Sequence, residues 1–280
     1  MKSSTRASAP IDLGTAIGIL GAGSWGTALA VHLAQTGRSV VLRGRSDSLM
    51  RAIAKKRHNP TYLPNVEVPR EVEATADIRR VAGCPTVLVV VPSHGFRAAV
   101  RELFAARSAR RSLVLVSGTK GIEAETLARM SQVVAEEAKS SRTRVEFAAV
   151  SGPSFAEELA LGSPTAAVVA STDARLAVTL QEALSGRNLR LYTSADLTGV
   201  ELAGAIKNVI AIAAGVVTGL GLGHNTLAAL ITRGLHEMSR LGVACGGNAG
   251  TFSGLAGLGD LVLTCTGSLS RNRRAGEALA

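Results

Sequence analysis

The sequence predicts an α/β protein, with a doubly wound, mostly parallel sheet up to about residue 194 and an all-α domain after it. Three observations carry that prediction. Short β-branched runs alternate with helical patterns, and such alternation builds parallel βαβ units. Runs such as TVLVVV are apolar throughout, so both faces of the sheet are covered. From Asp196 onward the strand signals stop and only helical spacing remains.

The elements follow in order. Residues 1–15, MKSSTRASAPIDLGT, are polar and lack a continuous apolar core, so they read as a disordered tail and not as a signal peptide. Ala16–Leu20 opens the sheet, and Gly26–Gln35, closed by Gly37, is the first helix. Further strands are Ser39–Leu42, Thr86–Val91, Leu113–Ser117, Phe147–Val150, Ala166–Ala170 and Leu189–Tyr192, with a helix over Glu123–Ala138. A boundary between Thr193 and Asp196 separates a first domain, 16–194, from a second, 195–280. Helices Asp196–Leu220, Asn225–Leu241 and a shorter one near Asn248–Leu255 build the second domain. SRNRRAGEALA starts another helix with no C-cap behind it, and this domain is expected to be C-terminally incomplete.

Composition narrows the partners. The net charge is +10, yet the arginine groups at 79–80, 97–111 and 271–274 lie far apart and aromatics make up only 3%. Without rings to stack on bases, nucleic acid is not expected, and a small phosphorylated molecule suits the charge. Three scattered cysteines, Cys84, Cys245 and Cys265, fit a reducing cytoplasm. Neither they nor His58, His224 and His236 show ligand spacing, so no metal is assigned. No charge-free apolar run reaches membrane-spanning length; Asn208 to Gly223 comes nearest and is broken by glycines, so stable membrane insertion is not expected.

Gly21-Ala22-Gly23-Ser24-Trp25-Gly26 lies directly between a strand and a helix. A bare GxGxxG is weak, but in this context it marks a dinucleotide site. Gly21 permits the turn, Gly23 lets backbone approach a pyrophosphate, and Gly26 lets helix and strand pack closely. Trp25 is placed to wall that site. The second strand runs into VVLRGRS, with Arg43 and Arg45 where a NAD-only site usually puts an acid; Asp47 comes late. Guanidinium groups pair with a 2′-phosphate, so the cofactor is NADP or NAD, with the arginines favouring NADPH.

LAGAIKNVIAIAAG puts Lys207 inside an apolar helix. Its helical neighbours, Gly199, Val200, Ala203, Gly204, Ile210, Ala211, Ala214 and Gly215, include no carboxylate. Snorkelling to the surface is one reading. The other is a proton donor and acceptor for a nicotinamide enzyme, its pKa lowered by burial. Lys120 in SGTKGIE and Gly152-Pro153-Ser154 in SGPSFAEE both follow strands, at the edge where such sheets bind ligands. GLAGLGDLVLTC puts Asp260 on a glycine-rich turn with Thr264 beyond it, and Ser270, Arg271 and Asn272 sit at a helix start. Singly, these are caps, turns or surface charges; together they can hold a phosphate ester and polarise its carbonyl. His94 reads as a polar residue at a helix start, and His32 as surface or packing.

Taken in order, GAGSWGTALA, VVVPSH, TKGIE, SGPSFAEELA, GAIKNVIAIAAG, LITRGLHEMSRLG and GLAGLGDLVLTCTGSLSRNRR resemble the bacterial NAD(P)-dependent glycerol-3-phosphate dehydrogenases, from about Ile17 to the end. The resemblance implies a Rossmann-type domain followed by a helical one, usually as a homodimer. It implies interconversion of dihydroxyacetone phosphate and sn-glycerol 3-phosphate for phospholipid synthesis in the cytoplasm. Lys207 would be the proton donor and acceptor, with Asp260 orienting it and Thr264 assisting. Lys120, Gly152, Ser154, Ser270, Arg271 and Asn272 would hold substrate along with Lys207 and Asp260. Ser24, Trp25, Arg45, Lys120, Ala156 and Arg271 would contact the cofactor. At position 43 the family often has an aromatic residue instead of Arg43, and its members continue for several helices past residue 280. Two rival readings are a β-hydroxyacid dehydrogenase of related architecture and a truncated, non-catalytic NADP-binding chain.

Overall fold

The computed structural model describes residues 11–107 and 112–280. The first part runs β1 (Ala16–Leu20), α1 (Ser24–Gln35), β2 (Ser39–Arg43), α2 (Asp47–Lys56), β3 (His58–Asn59), β4 (Leu63–Glu67), β5 (Val72–Thr75), α3 (Ile78–Ala82) and β6 (Thr86–Val89). It continues through α4 (Phe96–Ala106), β7 (Leu113–Ser117), α5 (Met130–Ser141), β8 (Val145–Ser151), α6 (Ala156–Ala160), β9 (Thr165–Ala170), α7 (Ala174–Leu184) and β10 (Leu189–Ser194). Helices α8 (Leu197–Gly219), α9 (Gly223–Ala244), α10 (Ala249–Phe252), α11 (Asp260–Thr266) and α12 (Arg271–Leu279) follow.

Eight strands form one sheet in the order β10-β9-β8-β7-β6-β1-β2-β5. From β5 across to β8 every pairing is parallel; β9 then runs antiparallel to β8, and β10 parallel to β9. Chain order reverses beside β1, which opens the crevice where doubly wound sheets take ligands. Both faces are covered, as the apolar strands require. Leu29, Leu33, Leu176 and Leu180 of α1 and α7 close one face; Phe96, Val100, Leu103 and Val133 of α4 and α5 close the other.

Several sequence expectations are corrected. The tail assigned to residues 1–15 falls partly outside the described residues, but Leu13 is buried and its carbonyl accepts from Thr86 Oγ1 at 2.8 Å. Leu13 is therefore part of the packed fold and not of a tail. The strand expected over Thr86–Val91 stops at Val89, where the chain leaves the sheet toward Pro92 and a short 3-10 turn. The helix expected from Glu123 starts only at Met130. Residues before it form a tight loop closed by the Ile122–Arg129 bridge, with Leu127 at a φ of 58° and Glu123 held by Arg97 at 2.7 Å. Strands β3, β4 and β5 were not foreseen. Pro64 and Asn65 break the β pattern in one of them, and only Val72 is buried in the edge strand β5.

β10 ends at Ser194, and Asp196 caps α8 by accepting from Gly199 N at 2.8 Å. Its other oxygen takes Asn248 N at 2.8 Å and Thr251 Oγ1 at 2.6 Å, tying α10 to the start of α8. Helix α8 is the axis of the second domain. Leu202, Ala203, Ala211 and Ala214 pack with Met238, Phe252, Leu261 and Cys265. Gly215 of α8 and Gly276 of α12 let those two backbones touch, since a Cβ on either would strike the other helix. By length and composition α8 is apolar enough to cross a membrane, but half of that apolar window is buried inside the fold. It also carries buried Glu201 and Lys207, each paired with residues from other elements, as a core helix would.

Candidate active site

The glycine loop leaves β1 at the carboxyl edge of the sheet. Gly21 has a φ of 125°, and a Cβ there would collide with the Val90 carbonyl. A Cβ on Gly26 would strike the Gly21 carbonyl, so strand and helix meet at backbone contact. Gly23 differs: a Cβ there would find nothing within 4 Å. Among the described residues no side chain caps α1, so its first-turn amides are left open there. Open space, small residues and uncapped amides fit a dinucleotide pyrophosphate. Trp25 packs its ring on the sheet core, with Nε1 beside Gly118. Ala156 opens α6 and packs on the same core.

The two arginines expected at the end of β2 part company. Arg43 is buried; its guanidinium donates to Glu102 at 2.7 Å and to the Ala76 carbonyl at 3.3 Å. It braces β2 against α4, which corrects the expectation that it faces a 2′-phosphate. Arg45 is exposed and forms no ion pair among the described residues.

Lys207 does not snorkel. It is only 4% exposed, and its Nζ donates to Asp260 Oδ1 at 2.5 Å and to Thr264 Oγ1 at 2.6 Å. Thr264 can accept because its own proton goes to the Asp260 carbonyl at 2.6 Å. Asp260 is corrected in its setting. The glycines before it form one π-helical turn, Leu255–Gly259, which runs directly into α11 with Asp260 as first residue, 1% exposed. Its second oxygen, Oδ2, accepts from Lys120 Nζ at 2.6 Å. Lys120 also donates to the Gly152 carbonyl at 2.9 Å, which Ser154 Oγ bonds at 3.0 Å.

One carboxylate thus faces two ammonium groups. Burial first, and the Lys120 charge second, pull the Lys207 pKa down to about 8 against the opposing pull of Asp260. Each ammonium has three N–H directions, two of them used here, which leaves each a proton for an oxygen in the cleft.

Ser270 caps α12, accepting from Arg273 N at 3.2 Å. Arg271 is exposed at the helix start, and Asn272 Nδ2 donates to Asn208 Oδ1 at 2.8 Å. The first turn of α12 is therefore tied to the residue that follows Lys207. His94 is exposed on its 3-10 turn, whereas His32 is buried with Nε2 2.9 Å from the Leu184 carbonyl, a packing residue whose pKa burial lowers.

Sequence reasoning missed three residues. Asn208 needed only its place beside Lys207 to be suspected. Gly204 lies one turn before Lys207, where α8 meets Ser151 of β8; a Cβ there would lie 2.9 Å from Ser151 Oγ. Glu201 is buried and accepts from Ser131 N at 2.7 Å and Arg129 at 2.6 Å, clamping the start of α5 to α8. Burial raises the Glu201 pKa. Nothing local marks a charge at Glu201 as interior.

Comparison with known proteins gives one answer over both domains. Residues 16–177 match the family model for the NAD-dependent glycerol-3-phosphate dehydrogenase N-terminus, and residues 196–280 match the model for its C-terminus. A glycerol-3-phosphate dehydrogenase [NAD(P)+] of Acidobacterium capsulatum is 49% identical over 94% of this chain and 79% of its own length. One from Serratia proteamaculans is 50% identical over 93% of this chain and 76% of its own. The crystal structure of the Coxiella burnetii glycerol-3-phosphate dehydrogenase superposes with a TM-score of 0.89 at 43% identity, covering 96% of this chain and 81% of that one.

Proposed function

The chain belongs to the NAD-dependent glycerol-3-phosphate dehydrogenase family, and we infer that it is an NAD(P)-dependent oxidoreductase interconverting dihydroxyacetone phosphate and sn-glycerol 3-phosphate. The observation that carries the mechanism is the Lys207–Asp260–Lys120 cluster, held where the helical domain faces the glycine-loop sheet.

When bound, a reduced nicotinamide supplies the hydride that reduces the ketone carbon. Lys207 gives the ketone oxygen its proton in that direction and takes it back in the other. With a pKa of about 8, it exchanges a proton near neutral pH far more readily than an ordinary lysine. Asp260 and Thr264 hold the Lys207 ammonium in place, and Lys120, fixed by Asp260 and the Gly152 carbonyl, polarises the same oxygen. Gly152 and Ser154 complete the near side of the substrate pocket. Ser270, Arg271 and Asn272 hold the phosphate, Arg271 by charge and the helix start by its amides. Gly21, Gly23 and Gly26 shape the cofactor turn, and Ser24, Trp25, Arg45, Ala156, Lys120 and Arg271 face the cofactor.

The reading extends to cytoplasmic supply of a phospholipid precursor by homodimers. It is supported by the wide separation of the three cysteines, and the homodimer is expected where the helical domain is complete. The deciding experiment is NADPH oxidation by the purified 280-residue chain, offered dihydroxyacetone phosphate or 3-oxo acids. Turnover of the phosphorylated ketone alone supports the assignment. Preference for 3-oxo acids sinks it, and tight NADPH binding without turnover favours the non-catalytic reading.

A further inference from the structure

Asn59, at the end of β3, is 0% exposed and lies against the glycine loop. Its Nδ2 donates to the Ala22 carbonyl at 3.0 Å and to Thr27 Oγ1 at 2.9 Å. Its Oδ1 accepts from Thr61 N at 3.3 Å and from Tyr62 N at 3.1 Å. A side-chain amide offers two N–H donors and two lone pairs on oxygen, so all of its bonding capacity is used. Ser24 Oγ adds a parallel strut, donating to the Tyr62 carbonyl at 2.9 Å.

Those bonds decide which way the loop faces. The peptide joining Ala22 to Gly23 is planar and trans, so its carbonyl and its N–H point in opposite directions. Asn59 takes the carbonyl on the buried side. The Gly23 N–H is thereby turned away from Asn59, while the open space at Gly23 admits an incoming group. A loop with glycines on both sides of Ala22 has little of its own to hold that peptide plane still. We propose that Asn59 is a positioning residue for cofactor binding, holding the Ala22–Gly23 peptide in the orientation that presents its amide to the dinucleotide pyrophosphate. This rests on the reading that the pyrophosphate lies at Gly21–Gly26.

The test uses the cofactor-free 280-residue chain, with NADPH as the probe. Asn59→Ala removes all four bonds without adding charge, and Thr27→Val removes one and guards against a misfolded first variant. Dissociation constants are read from NADPH fluorescence, alongside melting temperature and hydrogen exchange at Gly23 and Ser24. Asn59→Ala should weaken NADPH by about tenfold or more, the scale of one lost buried hydrogen bond, and Thr27→Val by less. Exchange at Gly23 and Ser24 should quicken, while KM for dihydroxyacetone phosphate stays put. NADPH affinity within twofold of wild type in a folded Asn59→Ala variant overturns the proposal, as does an unchanged Thr27→Val where Asn59→Ala does not fold. Gly23→Val, which points a side chain into the open space, separates the two layers. If it also binds NADPH normally, the cofactor placement itself is wrong. If it loses NADPH while Asn59→Ala retains it, only the role of Asn59 falls.

Discussion

Lys207 and Asp260 are 53 positions apart in the chain, and their side chains meet at 2.5 Å, buried in the second domain where Lys120 reaches in from the first. The pair cannot be judged as an isolated ion pair, because Lys120 approaches the same carboxylate. Two cations on one anion leave a net positive charge in a place with little solvent, and losing the Lys207 proton relieves it.

Lys207→Ala should remove turnover, with a loss of about a thousandfold or more, the scale of a missing general acid. NADPH affinity should change little, since Asp260 keeps Lys120 as its partner. In the wild type, ketone reduction needs protonated Lys207 and should fall as pH rises through about 8. Alcohol oxidation needs the neutral amine and should rise through the same pH. Profiles of kcat/KM in both directions check this, and full turnover in Lys207→Ala removes that residue from the mechanism.

Lys120→Met tests the electrostatic part of that argument. The Lys120 charge lowers the Lys207 pKa, so removing it should move the alkaline limb of ketone reduction to higher pH. The rate itself should drop, because the oxygen loses a donor. A limb that stays in place, or moves down, shows that burial alone tunes Lys207.

Arg45 and Arg43 should behave differently despite sitting two residues apart. Arg45→Ala should raise KM for NADPH by about tenfold and leave NADH nearly unaffected, as expected for a guanidinium serving a 2′-phosphate. Arg43→Ala breaks a buried brace to Glu102 and should lower melting temperature instead. Equal effects of Arg45→Ala on both cofactors would remove it from the 2′-phosphate site.

Glu123 sets an acid limit on stability. Hydrogen bonds from Arg97, then from Thr126, hold its carboxyl at about 2, below the ordinary 4.5. The unfolded chain therefore takes up this proton first as pH falls. The contribution is full above about 4.5 and disappears as pH drops toward about 2. Both partners remain partly exposed, so Glu123→Gln should cost about 1 kcal/mol at neutral pH. Urea titrations at pH 7 and near pH 2 should show that difference closing.

The sequence by itself determined the α/β class, the order of most elements, the glycine turn and the oddness of Lys207. All of these rest on local signals: apolar period, caps, and glycine beside a strand end. The edge strand β5 and the late start of α5 escaped because a short half-buried strand and a charge-anchored loop carry no strong period. Tertiary structure alone decided that Arg43 turns inward while Arg45 stays out, that Asp260 lies inside a continuous helical stretch, and that Asn59 braces the glycine loop. It also joined Lys120 to Asp260 across 140 positions. Charge pairing and amide satisfaction act between faces that only packing brings together, so no window along the chain contains both partners.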